Sequence, residues 1–474
     1  MSIIIPANSA VAGGYDVANS CRFNPGDSPK MVKASSSAGN GYKGTFSLWV
    51  KRSNLGAQQM IGQQDTGHAR VFFNGANQLR CYGNSAAENN AFDLASTALF
   101  RDVGAWYHIV FAWDNTQSTA SNRNKVYVNG VQLTDFATET YNPQNTQIGG
   151  GFFVNSTNLT ISGKTADYFN GYMTEIVGIE NTTYGPTDFG EFDEDSGIWK
   201  PIDVSGLTFG TNGFYLDFEN SGALGADVSG NTNNFTVNNL TAIDQSTDTC
   251  TNNFATMNPL DNYWQGSAFS EGSLTVTTTN ASQSYNTSSI MVSSGKWYVE
   301  CKPVSGGSEP EIGIFSKLTG ANAGNNSQLS YNANGYAYRA SNPGSVWYNG
   351  SAVSTSFSQY ANGDIVGIAL DLDNNKLYFS KNGTFGNSGN PTSGSTGTGA
   401  ISIVAPTSTT LGAYGFAANE SFNDQNKVFS WNFGSPPYAI SSGNTDGNGY
   451  GNFEYAVPSG YLSLCTANLS EVDS

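Results

Sequence analysis

Apolar residues recur at every second position in several segments of this chain, which is the period of a β-strand. The clearest segment is 363–385 ("GDIVGIALDLDNNKLYFSKNGTF"), where one strand face carries Val366, Ile368, Leu370 and Leu372. The other face stays uncharged until Asp371, as expected of a strand covered on both faces. Asn and Asp at 373–375 favour a turn, and Asn382-Gly383 marks a second, tight turn. The segment therefore predicts a β-hairpin.

A second segment of the same design lies far from the first. The stretch 106–133 ("WYHIVFAWDNTQSTASNRNKVYVNGVQL") reads as a strand, a long polar loop and a return strand that ends at Asn129-Gly130. Other strand-like segments recur with Gly, Asn and Ser between them, and no long helical period stands out. We expect an all-β fold of two tandem antiparallel β-sandwiches, with an N-terminal arm (1–20), a first sandwich (21–265) and a second (266–474).

The composition supports folded sandwiches with a polar but weakly charged surface. Hydrophobic residues make up 38% of the 474 residues and aromatic residues 13%, whereas charged residues make up only 12%. The net charge of −17 argues against nucleic-acid binding, which needs a basic face, and against docking on anionic membranes. The acidity favours solubility or, as an alternative, the binding of divalent cations.

The cysteines and the N-terminus indicate a chain that folds without export. Five scattered cysteines without CxxC spacing are typical of isolated buried thiols rather than a zinc site or a disulfide framework. The first residues, "MSIIIPANSAVAGGYD", lack the basic region of a signal peptide, and no window is apolar enough to span a membrane.

Specific phrases resemble two known families. "GTFSLWVKRS", "GAWYHIVFAWD", "KVYVNGVQL" and "FNGYMTEIVGIE" resemble the laminin-G-like, concanavalin-A-type jelly roll over residues 20 to 240. "GKWYVECKPV", the 363–385 segment, "IVAPTS" and "WNFG" resemble the SPRY domain over residues 290 to 435. The resemblance implies a laminin-G-like sandwich followed by a SPRY-like sandwich.

The connecting phrases are similar to those of marine tailed-phage virion proteins. These phrases are "FGEFDEDSGIWKPIDVSGL", "DVSGNTNNFTVNNL" and "TDTCTNNFATMNPLD". The resemblance implies a non-enzymatic virion protein, a tail-fibre or fibre-tip component that binds a host-surface glycan or protein. It would contact other virion proteins, assemble in the host cytoplasm as a homo-oligomer (a trimer if it is a fibre), and insert in no membrane. A capsid-attached fibre or decoration protein is the alternative, and a glycan depolymerase is a third hypothesis.

The N-terminal arm is a candidate virion tether. Its apolar run of Ile3, Ile4 and Ile5 would contact another virion protein, since the chain carries no coiled-coil or collagen-like shaft. A first β-strand followed by a flexible turn is the alternative interpretation of the arm.

Two catalytic patterns are weak in this sequence. Concanavalin-type glycosidases carry paired carboxylates as E-x-D-x-E or E-x-D-x-x-E on one strand. "EFDED", with Glu191 and Glu194, comes near that pattern but has Asp195 in the last position, and its flanks predict a solvated loop. The two histidines, His68 and His108, have no accompanying G-x-S-x-G nucleophile motif. We therefore expect no catalytic residues.

Oxygen-rich turns are candidate calcium ligands, and loop aromatics are candidate ligand contacts. Asp227, Asp371 and Asp373 could supply carboxylate oxygens to Ca²⁺, although turn formation explains the same residues and no EF-hand spacing is present. In SPRY domains the ligand surface is formed by loops at one end, so the resemblance implies contacts from three aromatic residues: Tyr336, Trp347 and Tyr348. Packing inside the sandwich is the alternative for each of them.

Overall fold

The computed structural model describes most of the chain and divides it into two compact units. The first unit runs up to Asn253 and the second begins at Phe254. The described residues are 14–34, 39–63, 69–85, 90–148, 151–154, 158–163, 167–262, 266–278, 285–306, 309–316, 328–419 and 426–472. The tether candidates Ile3, Ile4 and Ile5 lie outside them.

The first unit is built from short antiparallel strands. They are β1 (Ser20–Phe23), β2 (Lys30–Lys33), β3 (Lys43–Arg52), β4 (Gln58–Gln63), β5 (Ala69–Phe73), β6 (Gln78–Ser85), β7 (Asn90–Leu99), β8 (Trp106–Asp114), β9 (Asn124–Val128), β10 (Val131–Gln132), β11 (Phe136–Thr140), β12 (Leu159–Ser162), β13 (Gly171–Glu180), β14 (Gly190–Phe192), β15 (Trp199–Pro201), β16 (Phe214–Leu216), β17 (Thr236–Asn238) and β18 (Gln245–Ser246). Single 3-10 turns lie at Pro25–Asp27, Ala120–Asn122, Pro186–Asp188 and Ala242–Asp244.

Two sheets of these strands pack face to face around one core. One sheet has the order β10-β9-β8-β3-β13-β1-β18, with β16 beside β13, and the other has the order β11-β7-β6-β5-β4-β12-β2-β17. Phe111 on β8 stacks on Phe92 of β7 with ring centroids 5.4 Å apart, and both side chains are fully buried. Burying side chains of this size stabilises the fold by about 1.5–3 kcal/mol each. The first unit is therefore a β-sandwich, as the sequence predicts.

The second unit has its own strands and core. They are β19 (Met257–Asn262), β20 (Ala268–Ser270), β21 (Thr275–Thr277), β22 (Tyr285–Ser288), β23 (Lys296–Ser305), β24 (Glu311–Phe315), β25 (Gly335–Arg339), β26 (Gly344–Tyr348), β27 (Ser351–Phe357), β28 (Val366–Asp371), β29 (Lys376–Lys381), β30 (Thr384–Phe385), β31 (Ile401–Ser402), β32 (Gly415–Asn419) and β33 (Val428–Asn432). Single 3-10 segments lie at Leu329–Tyr331, Pro391–Thr396 and Pro406–Ser408, and one α-helix, α1, spans Thr466–Val472.

The second unit is also a sandwich of two antiparallel sheets. Their strand orders are β19-β22-β32-β24-β25-β26-β27 and β20-β21-β33-β23-β28-β29-β30, with β31 beside β29. Tyr338 of the first of these sheets packs against Phe379 of the second, with ring centroids 5.6 Å apart. The predicted hairpin is β28 with β29, paired from Val366–Lys381 to Asp371–Lys376. Its alternate residues lie in two different apolar clusters, which confirms a strand covered on both faces.

The second unit begins earlier in the chain than residue 266, where we expected it. Ala255 donates its backbone N–H to the carbonyl of Leu464, and Phe254 forms a bridge with Cys465. Met257 is fully buried in the core of the second unit. These contacts join residues more than two hundred positions apart in sequence, which explains why local patterning does not reveal them.

Among the described residues, no helix has both the length and the apolar character that crossing a membrane requires.

Candidate functional site

Strand register places Trp347 on the outer face of its sheet. On β26, Val346 lies in the core, so its neighbour Trp347 points to the opposite face. Trp347 pairs with Ala337 of β25, and Ser345 pairs with Arg339, so Trp347 and Arg339 lie on one face of two adjacent strands. Trp347 is half-buried, and its indole N–H donates to the hydroxyl of Ser345 at 2.7 Å.

A tight turn brings a second aromatic ring beside Trp347. Asn349 and Gly350 connect β26 to β27 with φ values of 47° and 77°, the left-handed geometry that favours an Asn-Gly pair. The N–H of Gly350 donates to the carbonyl of Ser330 at 3.0 Å, which ties the turn to the 3-10 segment Leu329–Tyr331. The ring of Tyr331 therefore lies beside Trp347, and Tyr331 is 50% exposed.

The two rings share one cation on their inner side. Tyr331 and Trp347 are nearly parallel, at 14°, with centroids 6.0 Å apart. The guanidinium carbon of Arg339 is 4.6 Å from the Trp347 centroid and 5.6 Å from the Tyr331 centroid. A group midway between the two rings would lie at half of the centroid separation from each ring. Both Arg339 distances are longer than that, so Arg339 lies to one side of the pair. Since Arg339 is only 6% exposed, this is the buried side of the pair, whereas Tyr331 is 50% exposed and Trp347 is half-buried.

A buried carboxylate fixes Arg339. Its Nη2 and Nε donate to Oε1 of Glu311 at 2.6 and 3.0 Å, and Nη2 also bonds Gln328. Glu311 is fully buried and accepts further bonds from Ser330 at 2.6 Å and from Asn419 at 3.1 Å. Because Ser330 precedes Tyr331, the network holds the ring pair as well as the ion pair, which gives a rigid aromatic surface.

Tyr336 and Tyr348, the other two predicted ligand contacts, lie on the core-facing side of the sheet. Tyr336 on β25 is 3% exposed, and its hydroxyl accepts the backbone N–H of Val404 at 3.0 Å. Its ring stacks on Tyr348, with centroids 4.3 Å apart, and Tyr348 packs against the core. Burial raises the pKa of Tyr336 to about 12. The structure therefore brings Trp347 together with Tyr331, which sequence reasoning missed, rather than with Tyr336 and Tyr348.

The calcium candidates accept hydrogen bonds from the protein itself. Asp227 accepts the backbone N–H groups of Tyr215 at 2.9 Å, Ser229 at 3.0 Å and Asn233 at 2.7 Å. Asp371 accepts local bonds from the backbone and side chain of Asn374, whereas Asp373 accepts the N–H of Gly295 from a distant segment. Across the described part of the chain, no three His, Cys, Asp or Glu side chains form a group that could hold a metal ion.

The acidic segment "EFDED" forms a hairpin rather than the loop that we expected. Glu191 lies on β14, which pairs with β15. Glu191 and Glu194 are exposed, and Glu191 contacts Lys200 at 3.3 Å. Asp193 is 5% exposed and caps the turn by accepting the N–H of Ser196 at 2.8 Å. Phe192 and Trp199 pair across the hairpin and pack edge to face, with centroids 4.9 Å apart.

His108 is a packed residue beneath this hairpin. It is fully buried between Trp49 and Trp199, whose ring centroids lie 4.7 and 5.8 Å away. Trp199 Nε1 donates to Nδ1 at 2.9 Å, so Nε2 carries the proton and donates to the Ser47 hydroxyl at 2.8 Å. Burial lowers the pKa of His108 to about 3, which keeps the imidazole neutral. His68 lies outside the described residues.

One buried carboxyl in the first unit was not singled out from the sequence. Glu175 lies at an irregularity of β13 with a φ of +49° and is 5% exposed. It accepts hydrogen bonds from the hydroxyls of Tyr215 at 2.7 Å and Tyr15 at 3.3 Å. Burial raises the pKa of this carboxyl to about 7. No period or motif marks such a residue, because its position depends on a strand irregularity.

Solved structures that are similar to parts of this chain share little sequence identity with it. No curated protein matches the sequence. The SPRY domain of human HERC1 is 15% identical, covering 37% of this chain and 96% of that domain, with a TM-score of 0.29. A Bacteroides ovatus protein provisionally described as carbohydrate binding is 16% identical, covering 48% and 61%, with a TM-score of 0.30. A heptameric SAP-like pentraxin from Limulus polyphemus is 14% identical, covering 34% and 76%, with a TM-score of 0.25.

A family match falls within the first unit. Residues 27–177 match the Laminin_G_3 family model, described as the concanavalin A-like lectin/glucanases superfamily. The matched segment includes β3, β8 and β9, the strands that carry the phrases "GTFSLWVKRS", "GAWYHIVFAWD" and "KVYVNGVQL". Residues 27–177 of the first unit are therefore similar to this superfamily.

Proposed function

We propose that this chain is a phage virion appendage protein, a tail-fibre or fibre-tip component that binds a glycan or protein of the host surface. The observation that carries this proposal is the Tyr331–Trp347 pair, two partly exposed aromatic rings supported by the buried Arg339–Glu311 ion pair. Exposed aromatics on a rigid support are typical of binding surfaces, because they offer a large apolar area at a small cost in conformational entropy.

Two further observations support the proposal. The first unit matches a superfamily described by its lectins and glucanases, which is compatible with glycan binding. The phrases that connect and flank the modules are similar to those of marine tailed-phage virion proteins. In this role the chain acts without catalysis and without a cofactor, contacts other virion proteins, and forms a homotrimer if it is part of a fibre.

Localisation in purified virions tests the proposal. Mass spectrometry gives the number of copies relative to the major capsid protein, and cryo-electron microscopy locates the chain. A low copy number with density at the tail, together with competition between the purified protein and virions for adsorption to host cells, supports host binding. Density over the capsid shell supports the decoration alternative. Absence of the chain from virions overturns both.

Incubation with host polysaccharide tests the non-enzymatic role. We expect no change in the chain length of the polysaccharide. Shortening that is lost in Glu191→Gln or Glu194→Gln would identify a depolymerase instead, with the exposed hairpin as its site.

A further inference from the structure

The stretch of chain that carries Tyr331 and Trp347 has almost no charge. Between Gln328 and Gln359 the sequence contains one charged residue, Arg339. That guanidinium is buried and neutralised by Glu311 at 2.6 Å. In a chain of net charge −17, a stretch that spans β25, β26 and β27 without an exposed charge is distinctive. A charged ligand would find no exposed counter-charge on this stretch.

The polar groups near the rings are an amide and a hydroxyl. Asn349 lies in the turn that contacts Tyr331, and its side chain is exposed. The hydroxyl of Tyr331 has no hydrogen-bond partner among the residues that the structure describes, so it is free to donate or accept. These groups can form hydrogen bonds with the hydroxyls of a ligand. None of them carries a charge that would favour an ionic ligand over a neutral one.

The free ring faces suit the apolar face of a sugar. A pyranose ring carries C–H groups on one face, and their partial positive charge is attracted to the negative face of an aromatic ring. Two nearly parallel rings with centroids 6.0 Å apart offer an area larger than one ring. Arg339 occupies only the inner side of the pair, so the outer side stays available.

We propose that the Tyr331–Trp347 pair is a stacking surface for a neutral pyranose, flanked by the uncharged amide of Asn349. This inference rests on the proposed function and narrows its ligand to uncharged sugars of a host-surface glycan. Arg339 is a positioning residue in this arrangement, because it supports both rings from the buried side.

Binding of the full-length protein to purified polysaccharides tests the inference. The neutral probes are polymers of glucose, mannose, galactose and N-acetylglucosamine, and the anionic probes are alginate and heparin. We expect capture by a neutral polymer, with Tyr331→Ala and Trp347→Ala each weakening binding about tenfold or more, by analogy with the loss of a ring that stacks on a nucleic-acid base. Phe192→Ala is the matched control, since Phe192 of the first unit is 52% exposed, against 50% for Tyr331. We expect this control to bind as the wild type does.

Three results would overturn the inference. Preferential capture by alginate or heparin excludes a neutral ligand. Neutral binding that survives Tyr331→Ala excludes the ring pair, and this variant remains informative if Trp347→Ala does not fold, because half of Tyr331 is already in solvent. If the protein binds no polysaccharide but still competes with virions for host cells, the sugar inference is wrong and the proposed host-binding function stands. If the protein neither binds polysaccharide nor competes with virions, both the sugar inference and the proposed function are wrong.

Discussion

The guanidinium carbon of Arg339 lies 4.6 Å from the centre of the Trp347 ring, and its nitrogens bind the fully buried Glu311. An ion pair in the interior therefore supports an aromatic ring at the surface. Burying a charge pair costs desolvation free energy, and packed apolar residues of similar volume often stabilise a fold as well. The ion pair instead holds Tyr331, Trp347 and the turn between β26 and β27 in a fixed arrangement.

Loss of the Glu311 carboxylate should destabilise the second unit strongly. In Glu311→Gln the buried Arg339 loses its counter-charge, and we expect the free energy of unfolding to fall by about 3 kcal/mol or more. Urea unfolding measures the change. Lys381→Gln is the control, because Lys381 forms a partly exposed pair with Asp364 at 3.1 Å, and loss of such a pair costs less than about 1 kcal/mol. Equal costs for the two variants would contradict the structural role of Glu311.

Glu175 should make the first unit less stable as the pH rises. Its pKa increases from 4.5 to about 7 on folding, mainly through burial, so the folded chain binds more protons between these values. Stability is then lost as the pH rises from about 4.5 to about 7, by up to roughly 3 kcal/mol. Glu175→Gln should remove this loss, as seen in urea unfolding from pH 4 to pH 8. Glu191→Gln, at an exposed carboxylate, should leave the loss unchanged. If Glu175→Gln loses stability with pH as steeply as the wild type does, Glu175 is not the group responsible.

His108 should act in the opposite direction. Burial lowers its pKa from 6.5 to about 3, so the unfolded chain binds more protons between these values. Stability is therefore lost as the pH falls below about 6.5, by an amount on the order of 4 kcal/mol. His108→Gln should be less stable at pH 8, since the packing between Trp49 and Trp199 is disturbed, but should show a smaller loss toward pH 4. A parallel pH profile in the variant would show that His108 does not titrate on unfolding.

Gly130 should tolerate no side chain. Its φ is +80°, and a Cβ atom there would lie 2.4 Å from the ring of Trp199. Gly56 is the matched control in the same unit, with a φ of +105° and no atom within 4 Å of the position that a Cβ atom would take. Both alanine variants bear the conformational cost of about 1 kcal/mol, but only Gly130→Ala bears the clash, which adds about 1–3 kcal/mol. Thermal unfolding measures the difference, and equal midpoints would contradict the packing of Trp199 on this turn.

The sequence predicts the sandwiches because period-two patterns reflect burial directly. It predicts less of the candidate site because adjacent strand residues point to opposite faces, and local pattern does not say which face is covered. Trp347 and Tyr348 are neighbours of similar type, and only the packing of Val346 in the core decides that Trp347 faces outward. Tyr331 is joined to Trp347 by the Gly350–Ser330 hydrogen bond, a contact between segments that no motif signals.

The absence of exposed charge between Gln328 and Gln359 also has a consequence for the medium in which the protein works. Dissolved salt largely screens the attraction between exposed charges that are more than about 8–10 Å apart at ionic strengths of about 0.1–0.15 M, and in brine it screens charges that are closer still. Contacts made by ring faces, amides and hydroxyls contain no such attraction to weaken. A receptor held on the Tyr331–Trp347 surface would therefore lose no affinity to charge screening between dilute buffer and seawater.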